Sequence, residues 1–347
     1  MLTLYSETHI HHRGADEWVD GKLAPYLESP ERAFSILDSI RARQFELRIA
    51  EPSIDAMALR RVHDGDYVDF VADAWNQWVA SGQTGHAVAR VWPLRERLEN
   101  IPASIDARLG IYSCDSLAPI MAGTFTAALD SANVAVSAAD ALRAGVPSAF
   151  ALCRPPGHHA GANFMGGYCY FNKSAIAAQR LLDMGSHPVA ILDVDYHHGN
   201  GTQDIFYARS DVLVASIHAD PTHEYPFFGG YASECGTGAG TGFNLNLPLP
   251  MGSDWSAYHP ALQAACSRIR ASGCDALVVS LGLDTAANEP ISTFRLETPD
   301  YEAMGTLIGQ LQLPTVVVLE GGYAMESLAR NALNVLDAIE TQLRRSG

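Results

Sequence analysis

The sequence predicts a three-layer α/β domain, a central and mostly parallel sheet flanked by helices on both faces. Three observations point there. From residue 141 onward, short β-branched apolar runs alternate with Ala- and Leu-rich stretches of helical length, as parallel strands and crossover helices do. Gly-rich turns follow several of the runs. The polar residues best suited to chemistry gather just after the same runs, where open α/β sheets form their ligand crevice.

Taken in chain order, residues 2–5 form a first candidate strand and residues 67–81 a candidate helix. A loop-like stretch with several charges and two prolines runs through 91–109, elaborating the N-terminal third. Further strands are expected over 148–152, 189–194, 212–217, 276–281 and 315–319, with helices over 174–184, 255–271 and 301–310. Turns are marked by Pro155, Pro156 and Gly157, by Gly199, Asn200 and Gly201, by Gly282, and by Gly321 and Gly322. No linker, internal repeat or low-complexity tract interrupts the chain, so one domain is expected over residues 1–347.

Hydrophobic residues make up 48% of the chain and charged residues 18%, a composition that can build a large core. Against 23 Lys and Arg stand 39 Asp and Glu, a formal net charge of -16 that repels phosphate backbones and attracts cations. Nucleic acid is therefore not an expected partner. The six cysteines (Cys114, Cys153, Cys169, Cys235, Cys266 and Cys274) are scattered without a Cys-x-x-Cys pair, so a reducing cytoplasm is expected rather than a disulfide framework. No export signal and no run of eighteen apolar residues is visible, so no membrane association is expected.

Four motifs carry the chemistry. The apolar run before Asp193 leads into Asp193, Asp195, His197 and His198 and then a glycine turn. Side chains alternate along a strand, so Asp193, Asp195 and His197 point the same way and can converge on one cation. A second acid, Asp284, follows the run 276–281; two carboxylates and one imidazole around an open position suit a hydrolytic Zn²⁺. The adjacent His158 and His159 follow another strand and a rigid turn, and imidazoles near neutral pH suit acid–base chemistry. Finally, Tyr323 follows Gly321 and Gly322, which let the backbone swing a phenol into the crevice as an oxyanion donor. Taken alone, Asp284 reads as a turn cap and Tyr323 as packing; their equivalent places at strand ends favour the site.

Together these stretches (CRPPGHHA at 153–160, GGYCYFNKSAIAA at 166–178, ILDVDYHHGNGTQDIF at 191–206, VSLGLDT at 279–285 and LEGGY at 319–323) resemble the histone deacetylase superfamily. Order and spacing agree over 140–330, and the chain looks most like the branch of bacterial acetylpolyamine amidohydrolases. The resemblance implies the arginase–deacetylase fold and one Zn²⁺ per chain, with Fe²⁺ also able to occupy the ligand set Asp195, His197 and Asp284. It makes His158 and His159 the acid–base pair, with Asp193 orienting His158 and Asn200 behind His159, and Tyr323 the donor to the substrate carbonyl. Gly167, Tyr168 and Tyr225 would line a narrow channel. Structural K⁺ is implied at Asp193, Asp195, His197, Ser216 and Ile217, and a second at Phe206, Arg209, Val212 and Phe243.

The same branch implies a homodimer whose enlarged N-terminal loop narrows access, and acidic rim residues for the distal ammonium of a polyamine. Glu17, Asp106 and Asp115 are the candidates, Asp106 being shorter than the glutamate the branch places there. The implied function is hydrolysis of acetylated putrescine, cadaverine, spermidine or spermine to acetate and free amine. The alternative is a protein-lysine or broad-specificity small-amide deacetylase. A binuclear manganese ureohydrolase would need a late Asp-x-Asp, whereas Thr285 and Ala286 follow Asp284. A binding module without turnover would not need every inferred catalytic group.

Overall fold

The computed structural model describes residues 1–14, 16–19, 21–50, 56–94 and 100–345. Its elements in chain order are β1 (Leu2–Tyr5), β2 (Asp16–Val19), β3 (Lys22–Pro25), α1 (Pro30–Ala42), β4 (Leu47–Ile49), α2 (Ala56–Leu59), α3 (Gly65–Ala80), α4 (Ile105–Ile111), α5 (Thr124–Arg143) and β5 (Ser148–Ala151). There follow α6 (Lys173–Asp183), β6 (Val189–Asp193), α7 (Asn200–Phe206), β7 (Val212–Ala219), β8 (Asn244–Leu249), α8 (Trp255–Ser272), β9 (Ala276–Leu281), α9 (Thr298–Gly309), β10 (Thr315–Leu319) and α10 (Leu328–Arg344).

Eight strands form one sheet in the order β4-β1-β5-β10-β9-β6-β7-β8, and every adjacent pair is parallel. Helices cover both faces, so the central strands are apolar at nearly every position. Alternation sorts their side chains: Val189, Ile191, Val278, Val316 and Val318 join the core under α3, α5 and α6, while Ala190, Leu192, Val279, Val317 and Leu319 join the core under α1, α8, α9 and α10. β2 and β3 form a separate antiparallel hairpin.

Local chemistry sets the boundaries. Helix α9 starts at Thr298, three residues before the expected start, because Glu297 and Asp300 form a reciprocal capping box. Helix α8 stops at Gly273, whose φ of 65° is the left-handed cap conformation. The loop expected over 91–109 is corrected at its end: residues 105–109 belong to α4, which begins after the extended Ser104. Residues 95–99 of that stretch lie outside the described residues.

Register aligns the carboxyl ends of the strands. Asp193 pairs with Ser216 of β7 and Ser280 of β9, Leu319 with Leu281, and Val318 with Ala151. The segments that follow β5, β6, β9 and β10 therefore meet at one end of the sheet.

Candidate active site

Asp195, His197 and Asp284 each offer a ligand atom, and these atoms all lie within 4.8 Å of one another. His197 Nδ1 is 3.0 Å from Asp284 Oδ2 and 3.5 Å from Asp195 Oδ1. Backbone N–H groups aim the carboxylates: Gly321 donates to Asp195 Oδ2 at 2.9 Å, and Tyr196 donates to Asp284 Oδ1 at 2.9 Å. A Cβ at Gly282 would stand 2.1 Å from Asp195 Oδ2, and one at Gly321 would stand 2.7 Å from an oxygen of each aspartate. Glycine at both strand ends thus leaves the space in which two carboxylates and an imidazole face each other. Buried hard oxygens and one nitrogen that close together fit a divalent ion of the zinc type.

The expected convergence of Asp193 with Asp195 and His197 is corrected. Alternation does continue past the end of β6, since Val194 and Tyr196 pack into the second core. Asp193 nevertheless lies a step back along the chain, and its Oδ2 faces His158 Nδ1 at 3.0 Å instead. Among the described residues no other group of this kind gathers three donors.

His158 and His159 lie beside the triad with ring centroids 4.0 Å apart and planes tilted by 47°. Burial disfavours the imidazolium of His158, but the Asp195 and Asp193 carboxylates outweigh it and hold its pKa well above the ordinary value. His159 goes the other way: burial and the charge of His158 hold it well below. Its Nδ1 lies 2.7 Å from Asn200 Oδ1, which puts the proton on Nδ1 and leaves Nε2 as the proton acceptor. The two rings thus differ in proton affinity, one raised and one lowered. Asp284 is raised to about 6 by burial and by Asp195, whereas the two carboxylates raise His197 to about 10 despite its burial.

Tyr323 completes the constellation. Gly322, with φ of 113°, turns the chain after β10, and Glu289 grips the N–H groups of Tyr323 and Ala324 at 3.0 Å. The guanidinium of Arg32 lies 4.7 Å over the phenol ring while bonding the carbonyls of Gly322 at 2.6 Å and Glu320 at 2.5 Å. Burial raises the Tyr323 pKa well above the ordinary value, so the hydroxyl stays a donor.

A cavity of 530 Å³ opens onto these groups. Gly167, Tyr168 and Tyr225 line it. A Cβ at Gly167 would stand 2.4 Å from the His159 ring, and both Gly167 and Tyr168 hold positive φ, 48° and 67°. Glu17 also lines it, accepting from Tyr168 Oη at 2.7 Å, and burial raises its pKa. Two rim expectations are corrected. Asp106, on the first turn of α4, does not line the cavity and pairs with Arg90 at 2.7 Å. Asp115 stands behind the wall, where its Oδ2 receives Tyr225 Oη at 2.6 Å and Gly167 N–H at 2.9 Å.

Several residues that shape the site carried no role in the sequence reading. Glu320 is fully buried and takes the N–H groups of Gly157 at 2.6 Å and His158 at 3.1 Å, latching the His–His turn to β10. Its place at the end of an apolar strand is the same signal that marked Asp193 and Asp284. Arg32 and Glu289 had no such mark, and Glu224 lines the cavity unforeseen. Of the positions expected to hold K⁺, Asp193 and Ser216 are ladder partners, and Ser216 Oγ is 2.7 Å from His218 Nδ1. At the second, the carbonyls of Phe206 and Phe243 accept from Arg209 and Val214, each at 2.9 Å. All six cysteines are unpaired, and among the described residues no helix is long and apolar enough to cross a membrane.

Comparison with known proteins agrees with this geometry. Residues 26–339 match the histone deacetylase domain. The chain is 52% identical over 340 residues to acetylpolyamine amidohydrolase 2 of Pseudomonas aeruginosa, covering 98% of this chain and 99% of that one. It is 44% identical over 339 residues to the acetylpolyamine amidohydrolase of Mycoplana ramosa, covering 98% and 99%. A crystal structure of acetylpolyamine aminohydrolase from Burkholderia pseudomallei matches with a TM-score of 0.94 and 39% identity, covering 99% of both chains.

Proposed function

The chain belongs to the histone deacetylase family, and on that premise we propose that it is a single-domain, zinc-dependent amidohydrolase that cleaves acetylated polyamines to acetate and free amine. The single observation that carries the reading is the buried trio Asp195, His197 and Asp284 beside an imidazole pair of opposite proton affinity. These three would hold the ion. When bound, a zinc-type ion supplies Lewis acidity, polarising an amide carbonyl and acidifying water.

The protein's own groups do the rest. His159 Nε2, freed by the Asn200 bond, accepts the proton of the attacking water. His158, held cationic against Asp193, returns a proton to the departing amine. Tyr323 donates to the carbonyl oxygen as it gains negative charge, and its carbonyl-anchored loop keeps the phenol in place before the charge appears.

The aromatic and glycine walls support a thin aliphatic substrate, and the named relatives support an acetylpolyamine. The K⁺ positions and the homodimer belong to the same proposal. A second copy is supported by large apolar side chains left open on the N-terminal elaboration, among them Trp18, Leu23, Leu94 and Ile101. The test is a steady-state comparison of N-acetylputrescine, N-acetylspermidine and an acetyl-lysine peptide on one preparation with its metal content measured. Higher kcat/KM on the polyamines is expected, with about one zinc per chain; faster peptide turnover would replace this reading with a protein-lysine deacetylase.

A further inference from the structure

Besides Asp195 and Asp284, the cavity lining contains two carboxylates, Glu17 on the β2–β3 hairpin and Glu224 in the loop after β7. They are not equivalent. Glu17 is 6% exposed and both its oxygens are engaged, Oε2 by Tyr168 Oη at 2.7 Å and Oε1 by the N–H of Leu27 at 3.2 Å. Glu224 is only half-buried and stands in a wall rich in oxygen acceptors. Its Oε2 receives Tyr196 Oη at 2.8 Å, and that phenol oxygen lies 3.0 Å from Thr293 Oγ1. Glu224 and Thr293 are thus bridged by one hydroxyl. The neighbouring Ser292 lines the same cavity, and its buried Oγ has no partner among the described residues.

The anchoring phenol also fixes the distance from the chemistry. Tyr196 immediately precedes His197, and their rings meet edge to face with centroids 4.8 Å apart. Glu224 is therefore anchored through the residue that precedes His197, and it lines the same cavity as the triad. A protonated amine has three N–H donors and needs several acceptors at once. A carboxylate in one cavity lining with the Thr293 and Ser292 hydroxyls meets that need, whereas an uncharged chain end would leave the same oxygens desolvated and unpaired.

We propose that Glu224, with Ser292 and Thr293, recognises the free protonated amine of the acetylated substrate and so sets the preference for diamines over neutral amides. This rests on the function proposed above and adds a specificity residue to it. Tyr196 positions Glu224, and the second Glu224 oxygen is fixed by the N–H of Tyr225 at 2.9 Å. The carboxylate is pre-oriented, so recognition does not require it to be ordered when substrate arrives.

The experiment compares N-acetylputrescine with N-pentylacetamide, which replaces the ammonium by a methyl group, in the wild type, Glu224→Gln and Glu17→Gln. The wild type should prefer the cationic amide. Glu224→Gln should lower the ratio of the two kcat/KM values by at least about tenfold, mainly through KM on the cation, because one charged hydrogen bond is lost. A retained ratio in Glu224→Gln, or a loss seen only in Glu17→Gln, overturns the assignment while leaving the deacetylase reading intact. No preference in the wild type overturns the polyamine reading itself. Glu224→Asp gives an independent check should the Gln variant not fold: withdrawing the carboxylate by one methylene should raise the kcat/KM of N-acetylcadaverine relative to N-acetylputrescine, and an unmoved ratio counts against Glu224.

Discussion

Burial decides the protonation state of Tyr323 and with it what the residue can do. Kept neutral among Arg32, Tyr168 and the cavity wall, the phenol retains the proton it donates, and ring contacts hold its position. Tyr323→Phe should therefore lower kcat by about 10² to 10³ with little change in KM, the loss typical of one oxyanion donor. Steady-state kinetics on N-acetylputrescine with the metal content of both proteins matched would measure it, and an undiminished kcat would remove the oxyanion role. At this scale the sequence was informative wherever chemistry sits at a strand end. Asp195, His197, Asp284, the His pair and Tyr323 all follow apolar runs, so their neighbours in the chain announce them. The supporting residues do not announce themselves, because their partners are distant in sequence. Arg32 acts 290 residues away on Gly322, and Glu320 acts 162 residues away on His158. Asp193 could not be separated from its neighbours by alternation alone, since the strand period gives direction but not the identity of the facing group.

Elements are held in register by a few buried side chains, and His63 is the clearest latch. Placed just before α3, it shares its Nδ1 proton with Gly161 O at 2.8 Å and receives the N–H of Asn172, the N-cap of α6, on Nε2 at 3.0 Å. Acceptance at Nε2 requires the neutral ring, and burial lowers its pKa from 6.5 to about 4. A depressed folded-state value means that the stabilisation is complete above pH 6.5 and is lost as pH falls through 4. A shift of this size corresponds to about 3 kcal/mol. Unfolding free energy from urea titrations should thus fall between pH 7 and pH 4.5, and His63→Gln should fall less steeply over the same interval; parallel slopes would exclude His63 as the acid-sensitive latch. The elements themselves were unevenly legible. Central strands such as β6, β9 and β10 are buried on both faces and read as continuous apolar runs. The edge strands escaped because β4 has three residues with a central arginine, and β8 alternates asparagine with leucine before Pro248. Helix α10 was legible but not read: Leu328, Ala332, Val335, Leu336 and Ile339 are buried at helical spacing.

At the scale of the whole molecule, the formal charge of -16 and the carboxylates of the cavity act in the same direction on an approaching cation. Short-range recognition by Glu224 depends on contact, whereas the field of the chain acts before contact and is screened over about 10 Å at 0.1 M salt. The two contributions can therefore be told apart. Raising ionic strength from about 10 mM to about 300 mM should lower kcat/KM for N-acetylputrescine by roughly threefold or more, since screening weakens both encounter and pre-binding of a cation. N-pentylacetamide carries no charge and should be nearly insensitive. Because bound potassium is part of the proposed structure, the titration belongs at constant potassium, with a bulky organic cation supplying the added ionic strength. In Glu224→Gln the salt dependence should persist although selectivity has fallen, because one neutralised side chain leaves the molecular charge almost as it was. A flat response in the wild type would mean that the acidity of the chain serves solubility alone, and that discrimination between amines begins only inside the cavity.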